Sequence, residues 1–290
     1  MHSADFIGDL EQAFGFRIRD ARRISGGDIA ESYLLQTSLG DLFAKVLHGP
    51  QAYKMLASEA EGLEALRKAG ALSVPLLQGF EKTASGAVLL LEYIPPGRGA
   101  GAAHEALGRG LALMHQSTHE AFGWRRDNYI GALPQKNDWE VNWAVFFANH
   151  RLRTQFDLAV SSNFFEGDKV PDPGHMALKI AALLPDLKPA LLHGDLWNGN
   201  YLVSENNLPY LIDPSVHFGH SEVDLAMSRL FGGFPSRFYD AYFEISPRQP
   251  GFEDRQILYQ LYYLLVHLNL FGRSYLPAVS EATKVIFGGD

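Results

Sequence analysis

The sequence predicts an α+β chain in two parts, a small strand-rich one followed by a larger helical one. Three observations predict it. Apolar runs of strand length dominate the first ninety residues. A breaker cluster, "PPGRGAG", follows them, and beyond it the apolar residues recur at helical spacing. Two short apolar strands then reappear inside the helical part, in "LLHGDLWNGNYLVSENNLPYLIDPS". At 290 residues the chain is long enough for two domains or one large two-lobed unit with a substantial core.

Along the chain, "SYLLQTSLGDLFAKVL" holds two strands joined at Leu39-Gly40-Asp41, a hairpin signal. "AYKMLASEAEGLEALRKAG" carries Met55, Leu56, Leu63 and Leu66 on a helix that Gly70 is placed to end. "AVLLLEYI", Ala87 to Ile94, is a continuous buried strand, and the breaker cluster after it sets the boundary between parts at 1–94 and 95–290. Helices are expected over Ala102–Gln116, Asp138–Ala159, Gly174–Leu184, Ser221–Leu230 and Asp254–Phe271. No internal repeat or low-complexity segment interrupts them.

Composition narrows the function classes. Hydrophobic residues make up 47% and charged residues 20%, as in a globular protein rather than a disordered one. The formal charge of −8, with both signs interspersed, argues against nucleic-acid binding but allows a local pocket for an anion. Without cysteine there is no disulfide, thiolate catalysis or cysteine-based zinc site, which fits a cytoplasmic address. The acidic N-terminus lacks the basic start and apolar run of a signal peptide. "LYQLYYLLVHLNLF" is too short and too polar to span a bilayer and reads as a buried helix, so no membrane partner is expected.

The chemistry gathers where the strands return. Asn200 lies five positions after Asp195, and Asp213 ends the following apolar run. Phosphotransferase loops use that separation between an aspartate base and a magnesium-binding asparagine, with a second metal-binding aspartate further on. A hairpin returning Asp213 beside Asn200 would join a carboxylate and an amide oxygen, the hard donors Mg²⁺ accepts when phosphates complete its shell. His193 then holds the loop backbone rather than reacting. Two other readings compete: plain turn residues, and a metal-hydrolase cluster of His193, Asp195, Asp213, His217 and His220, which lacks any HExxH pattern.

"HGDLWNGN" together with "LIDPSVHFGHSEVDLAM" resembles the fructosamine (ketosamine) kinase family, a branch of the protein-kinase-like aminoglycoside and choline phosphotransferases. Trp197, the Asp213-Pro214 pair and "GALPQKNDWEVNWAVFFANHRLRTQFDLA" narrow it to that branch, with Thr154 a departure where proline is common. The likeness covers essentially the whole chain. It implies a two-lobed protein-kinase-like fold, ATP and Mg²⁺ as cofactors, and ketosamine acceptors, free or protein-bound. Aminoglycosides or other small amines are the alternative acceptors. A nucleotide-binding protein without turnover is the remaining alternative, and the survival of every catalytic position argues against it.

The remaining parts of a nucleotide site follow. Lys45, in "LFAKVL", would reach the phosphates, and the resemblance names Glu59 as its partner; Glu61, about 200° around the same helix, cannot share that role. Gly26 and Gly27 could cover the phosphates through backbone N–H groups, although GxGxxG is absent. Glu92, Tyr93 and Ile94 would offer backbone groups to adenine. Asp224, early on a helix, is expected to brace the catalytic loop. Trp197 could stack on the acceptor sugar, and Trp139 and Trp143, one turn apart on the preceding expected helix, either stack on sugar or pack in the core. Oligomeric state is not legible.

Overall fold

The computed structural model describes residues 3–24, 30–84, 86–97, 99 and 101–288. In chain order the elements are α1 (Ser3–Phe14), β1 (Ile18–Ile24), β2 (Glu31–Thr37), β3 (Gly40–Leu47), α2 (Ala52–Ala69), β4 (Leu77–Thr83), β5 (Gly86–Glu92) and α3 (Gly101–Met114). Then come β6 (Asn128–Ile130), β7 (Leu133–Gln135), α4 (Trp143–Phe146), a π-helix (Phe147–Arg153), α5 (Thr154–Ser161) and α6 (Pro173–Leu183). The short strands β8 (Ala190–Leu192), β9 (Tyr201–Val203), β10 (Pro209–Leu211) and β11 (His217–Gly219) lead to α7 (Glu222–Arg229), α8 (Ser236–Ile245), α9 (Phe252–Phe271) and α10 (Leu276–Phe287). The chain divides into two compact units, one of residues 1–104 and 199–214, the other of 105–198 and 215–290.

The first unit is built on an antiparallel sheet in the order β1-β2-β3-β5-β4. Its alternation is period two: Leu42, Ala44 and Val46 of β3 join Val88, Leu90 and Leu35 in a core closed by Phe6 and Leu10 of α1. Lys45 therefore points to the other face. The β2–β3 hairpin turns at Ser38-Leu39, one residue earlier than the expected Leu39-Gly40-Asp41, with Thr37 Oγ1 bonded to the Gly40 carbonyl at 2.7 Å. In α2, Leu56, Ala60, Leu63 and Leu66 are buried, and Gly70, at φ +70, caps the end by donating its N–H to Leu66 and Arg67. The β9–β10 hairpin completes the unit. It is tied on by Gly97 N–H to Val203 O at 2.7 Å and Leu211 N–H to Ser73 O at 2.9 Å. A Cβ on Gly97 would sit 2.2 Å from the Ser204 carbonyl, so the breaker cluster is glycine here because two backbones touch.

The second unit wraps helices around α9, whose Leu258, Tyr259, Leu261, Tyr262, Leu265 and Leu268 are all buried. A helix buried over most of its length and circumference is a core helix, as the sequence indicates. From Trp143 to Ser161 the chain is continuously helical, with a seven-residue π-helical stretch in its middle.

Three expectations need correcting. The expected helix over Asp138–Ala159 starts only at Trp143, where Asn142 caps it, so Trp139 is not helical and is not one helical turn from Trp143. The returning region holds four strands rather than two: β9 pairs β10, while β8 pairs β11, with Leu192 opposite His217. Three-residue strands carry too little pattern to show their partners. Helices α1, α8 and α10 are additional. Phe6 and Leu10 mark α1 one turn apart, but in a segment dominated by strand-like runs.

Candidate active site

In the first unit, alternation in β3 aims Lys45 at α2, where its ammonium meets Glu59 Oε2 at 2.7 Å and Asp213 Oδ1 at 2.8 Å. Asp213 reaches this point because the β9–β10 hairpin folds the chain back. Ile212 N–H bonds the Asn200 carbonyl at 3.0 Å, so Asn200 and Asp213 stand side by side at the hairpin's base. Asp213 takes a left-handed φ of +53, which an aspartate tolerates better than most residues but which still costs free energy. Burial by itself would lower the Lys45 pKa; the carboxylates of Asp213 and Glu59 outweigh it and hold the ammonium above its ordinary range. Burial pushes Glu59 upward, to about 7, against the pull of Lys45, and the Asp213 carboxylate adds to the rise. Glu59 Oε1 is buried without a hydrogen-bond partner.

Glu92 closes the strand β5 with its backbone N–H on the Leu76 carbonyl at 2.8 Å, and its carboxylate accepts the Leu76 N–H. Tyr93 and Ile94 follow it outside any regular element. Gly26 and Gly27 lie outside the described residues. Among the described residues no three His, Cys, Asp or Glu side chains gather into a metal cage. Asn200 and Asp213 carry an amide and a carboxylate oxygen, the donor types that Mg²⁺ accepts when phosphates and water supply its other ligands.

In the second unit, β8 delivers the loop His193-Gly194-Asp195. Its backbone is fixed from below: the fully buried Asp224 carboxylate accepts the N–H groups of His193 and Gly194, each at 2.8 Å. Burial would raise the Asp224 pKa, but hydrogen bonds and charge from His115, His193 and the Gly194 N–H outweigh it and hold the pKa below the usual value. His115 lies within hydrogen-bond reach of Asp224 at 3.2 Å through Nε2 and of the Tyr242 hydroxyl at 2.8 Å through Nδ1. Tyr263 of α9 donates its hydroxyl to the Gly194 carbonyl at 2.8 Å. Gly194 itself, at φ +84, runs so close to Ser215 that a Cβ would lie 2.1 Å from its carbonyl. The His193 ring accepts the Asp195 N–H through Nδ1 at 3.3 Å.

His115, Tyr242 and Tyr263 thus hold the loop although sequence reasoning gave them no role; single residues on apolar helices carry no signal for it. Trp197 is 38% exposed, whereas Trp143 is buried, donating Nε1–H to the Tyr259 hydroxyl at 3.0 Å. Asn198 Nδ2 donates to the Gly233 carbonyl at 3.1 Å, and nearby Phe231 packs on the His267 ring at 4.4 Å. His217 and His220, considered as metal ligands from sequence, are buried in the core. His217 pairs with the Ser215 carbonyl and His220 with Tyr259, and burial depresses both, His220 to about 3.

The fructosamine kinase family model matches residues 4–287. A probable ketoamine kinase of Synechocystis sp. is 42% identical over 274 residues, which cover 93% of this chain and 90% of that one. A crystal structure of a protein assigned as a fructosamine-3-kinase from Thermobifida fusca superposes with a TM-score of 0.86 at 30% identity, over 98% of both chains. The choline kinase of Streptococcus pneumoniae shares the fold alone, at 16% identity and a TM-score of 0.64 over 99% of each chain.

Proposed function

The chain belongs to the fructosamine kinase family, and from that premise we propose that it transfers the γ-phosphoryl group of ATP to the 3-hydroxyl of a ketosamine sugar, free or protein-bound. It is a kinase of protein-kinase-like α+β fold. The observation that carries the reading is the Lys45 ammonium clamped between Glu59 and Asp213, with Asn200 fixed beside Asp213. A fixed cation next to a pair of oxygen donors is what triphosphate transfer requires.

Lys45 presents its charge to the phosphates, and Glu59 keeps it aimed. Asn200 and Asp213 would hold Mg²⁺, which when bound with ATP neutralises charge on the phosphate oxygens. The chain continues from the loop bearing Asp195 to Asn200 over only five residues. Asp195 orients the acceptor hydroxyl and takes its proton late, because phosphoryl transfer passes through a loose transition state that needs little nucleophilic push. Asp224 supports Asp195 through two backbone N–H groups, and His193 through the N–H of Asp195. The Glu92 carbonyl and the Ile94 N–H are the groups offered to adenine along this stretch, with Tyr93 between them. Trp197 stacks on the sugar, and Phe231 and His267 line the same acceptor region. The enzyme acts in the cytoplasm, where ATP and glycated amines meet; among the described residues no helix is long and apolar enough to cross a membrane.

The test is Mg²⁺-dependent ADP release with fructose- and ribulose-lysine adducts, glycated protein, an aminoglycoside and choline. Turnover is expected on the ketosamines. Replacing a positioned base costs about 10²–10⁴ in rate, so Asp195→Asn should lose kcat on that scale while still binding ATP. Turnover only on the aminoglycoside or choline would overturn the acceptor; near-normal kcat in Asp195→Asn would overturn the base.

A further inference from the structure

The π-helical stretch Phe147–Arg153 is unusual in length, since π turns are rare and concentrate at functional sites. It brings Arg151 into the interior of the second unit, where the residue is 1% exposed. Among the described residues no carboxylate lies within 4 Å of its guanidinium. Its Nη donors go to neutral oxygens, Nη1 to the carbonyls of Lys136 and His150 and Nη2 to Asn137 Oδ1 at 2.7 Å, while Nε is buried without a partner. Phe146 covers one face, 4.6 Å from the ring centre. Burial draws the pKa down to about 10, which leaves the cation charged at neutral pH. Desolvating an unpaired charge is expensive, and the fold gains no ion pair from it.

What Arg151 does is orient amides. An arginine only donates, so Asn137 must turn Oδ1 toward it and donate Nδ2 onward, to Asn128 Oδ1 at 2.8 Å. Asn128 Oδ1 also accepts from Gln135 Nε2 at 2.8 Å, which leaves Gln135 Oε1 to the Tyr262 hydroxyl at 2.6 Å. Asn128 Nδ2 then donates to the Val216 carbonyl at 2.8 Å, and Gln135 Nε2 also reaches the Ser215 carbonyl at 3.4 Å. Ser215 in turn gives its N–H to the His193 carbonyl at 2.8 Å. The donors of Arg151, Asn137 and Asn128 run in one direction, from the guanidinium to the Val216 carbonyl, and Gln135 joins them by donating to Asn128 Oδ1 and to the Ser215 carbonyl.

We propose that Arg151 is a positioning residue for phosphoryl transfer: its buried charge fixes the direction of the Asn137–Asn128–Gln135 amides, and these hold the Ser215–Val216 backbone against the His193–Asp195 loop. The role rests on the kinase reading above. It differs from simple core filling because an apolar residue of similar size would fill the space and leave the amides free to flip.

The experiment compares Arg151→Met, Arg151→Lys, Gln135→Met and the double variant Arg151→Met/Gln135→Met. It measures kcat, KM for MgATP and for a fructosamine, thermal stability, and hydrogen exchange of the intact proteins. A displacement of about 1 Å at a reacting group costs on the order of 10²-fold, so Arg151→Met is expected to lower kcat about 10–100-fold with each KM within about threefold. Arg151→Lys, which keeps the charge and can still donate to Asn137, recovers most of that loss. Gln135→Met falls similarly, and the double variant is no worse than the poorer single one, because both break one chain. Exchange rises at 193–195 and 215–217 and not elsewhere in the unit. If Arg151→Met does not fold, Arg151→Lys and Gln135→Met decide by the same readouts. Lower thermal stability with unchanged kcat, or losses that multiply in the double variant, would overturn the proposal. If the wild-type protein phosphorylates no ketosamine, the kinase reading fails separately, and the exchange data alone decide whether the chain holds the loop.

Discussion

Asp224→Asn tests the loop support with a change of one atom. In the wild-type protein the fully buried carboxylate accepts the His193 and Gly194 N–H groups at 2.8 Å, with His115 Nε2 at 3.2 Å. An asparagine can present its oxygen at only one of the two positions. The less costly orientation keeps the oxygen toward His193 and His115 and turns the amide N–H₂ against the Gly194 N–H. That loses one charge-assisted hydrogen bond and leaves one buried donor facing another, a cost of about 2–4 kcal/mol. For a cooperative unit of 150–250 residues this lowers Tm by about 4–16 °C. The pH dependence adds a second check. The Asp224 pKa is lowered in the fold, so its contribution is fully present above the unfolded value of about 3.9 and is lost as pH falls through the lower folded value. The gap between wild type and Asp224→Asn should therefore be largest near pH 7 and close on acidification below pH ~4. Urea denaturation at both pH values, followed by tryptophan fluorescence with the buried Trp143 as reporter, measures it. A gap below about 0.5 kcal/mol at pH 7, or one unchanged by acid, would refute the assignment of Asp224 as an ionised acceptor.

Glu59→Gln removes one of the two carboxylates on Lys45 and should lower kcat/KM for MgATP by about tenfold or more while Asp213 still holds the ammonium; unchanged kinetics would remove Glu59 from the nucleotide site. Gly194→Ala forces a methyl group to within 2.1 Å of the Ser215 carbonyl at a positive φ and should cost more than about 2 kcal/mol by thermal melting, whereas a melt like wild type would mean the loop relaxes freely. Tyr263→Phe deletes the hydroxyl on the Gly194 carbonyl and should cost about 1 kcal/mol in urea titration, leaving KM for ATP unchanged.

Much of the proposed nucleotide half of the site is legible before folding is considered. Lys45 stands between Ala44 and Val46 in a strand, and alternation alone turns it away from the core they enter. Helical geometry separates Glu59 from Glu61, and the structure pairs Lys45 with Glu59. The Asp195–Asn200 spacing and the return to Asp213 are likewise local patterns. The exposed Trp139 shows the limit: its neighbours look helical, but Asn142 caps the helix three residues later by accepting the Val145 N–H, and the chain before it forms no helix. Strand partners among β8 to β11 were equally hidden, since three residues of pattern do not select a neighbour.

The sequence by itself determined the α+β class, the existence of the β2–β3 hairpin, the helix stop at Gly70, the burial of α9 and the residue types that phosphoryl transfer needs. These are consequences of periods, caps and spacings, which act over a few residues. Only the tertiary structure decided that β8 pairs β11, that Asp213 shares the Lys45 ammonium across 168 positions of chain, and that Asp224, His115 and Tyr263 converge on one loop. Those contacts join segments with no common local pattern. They exist because buried donors and acceptors must all be satisfied at once, and only the packed chain can satisfy them.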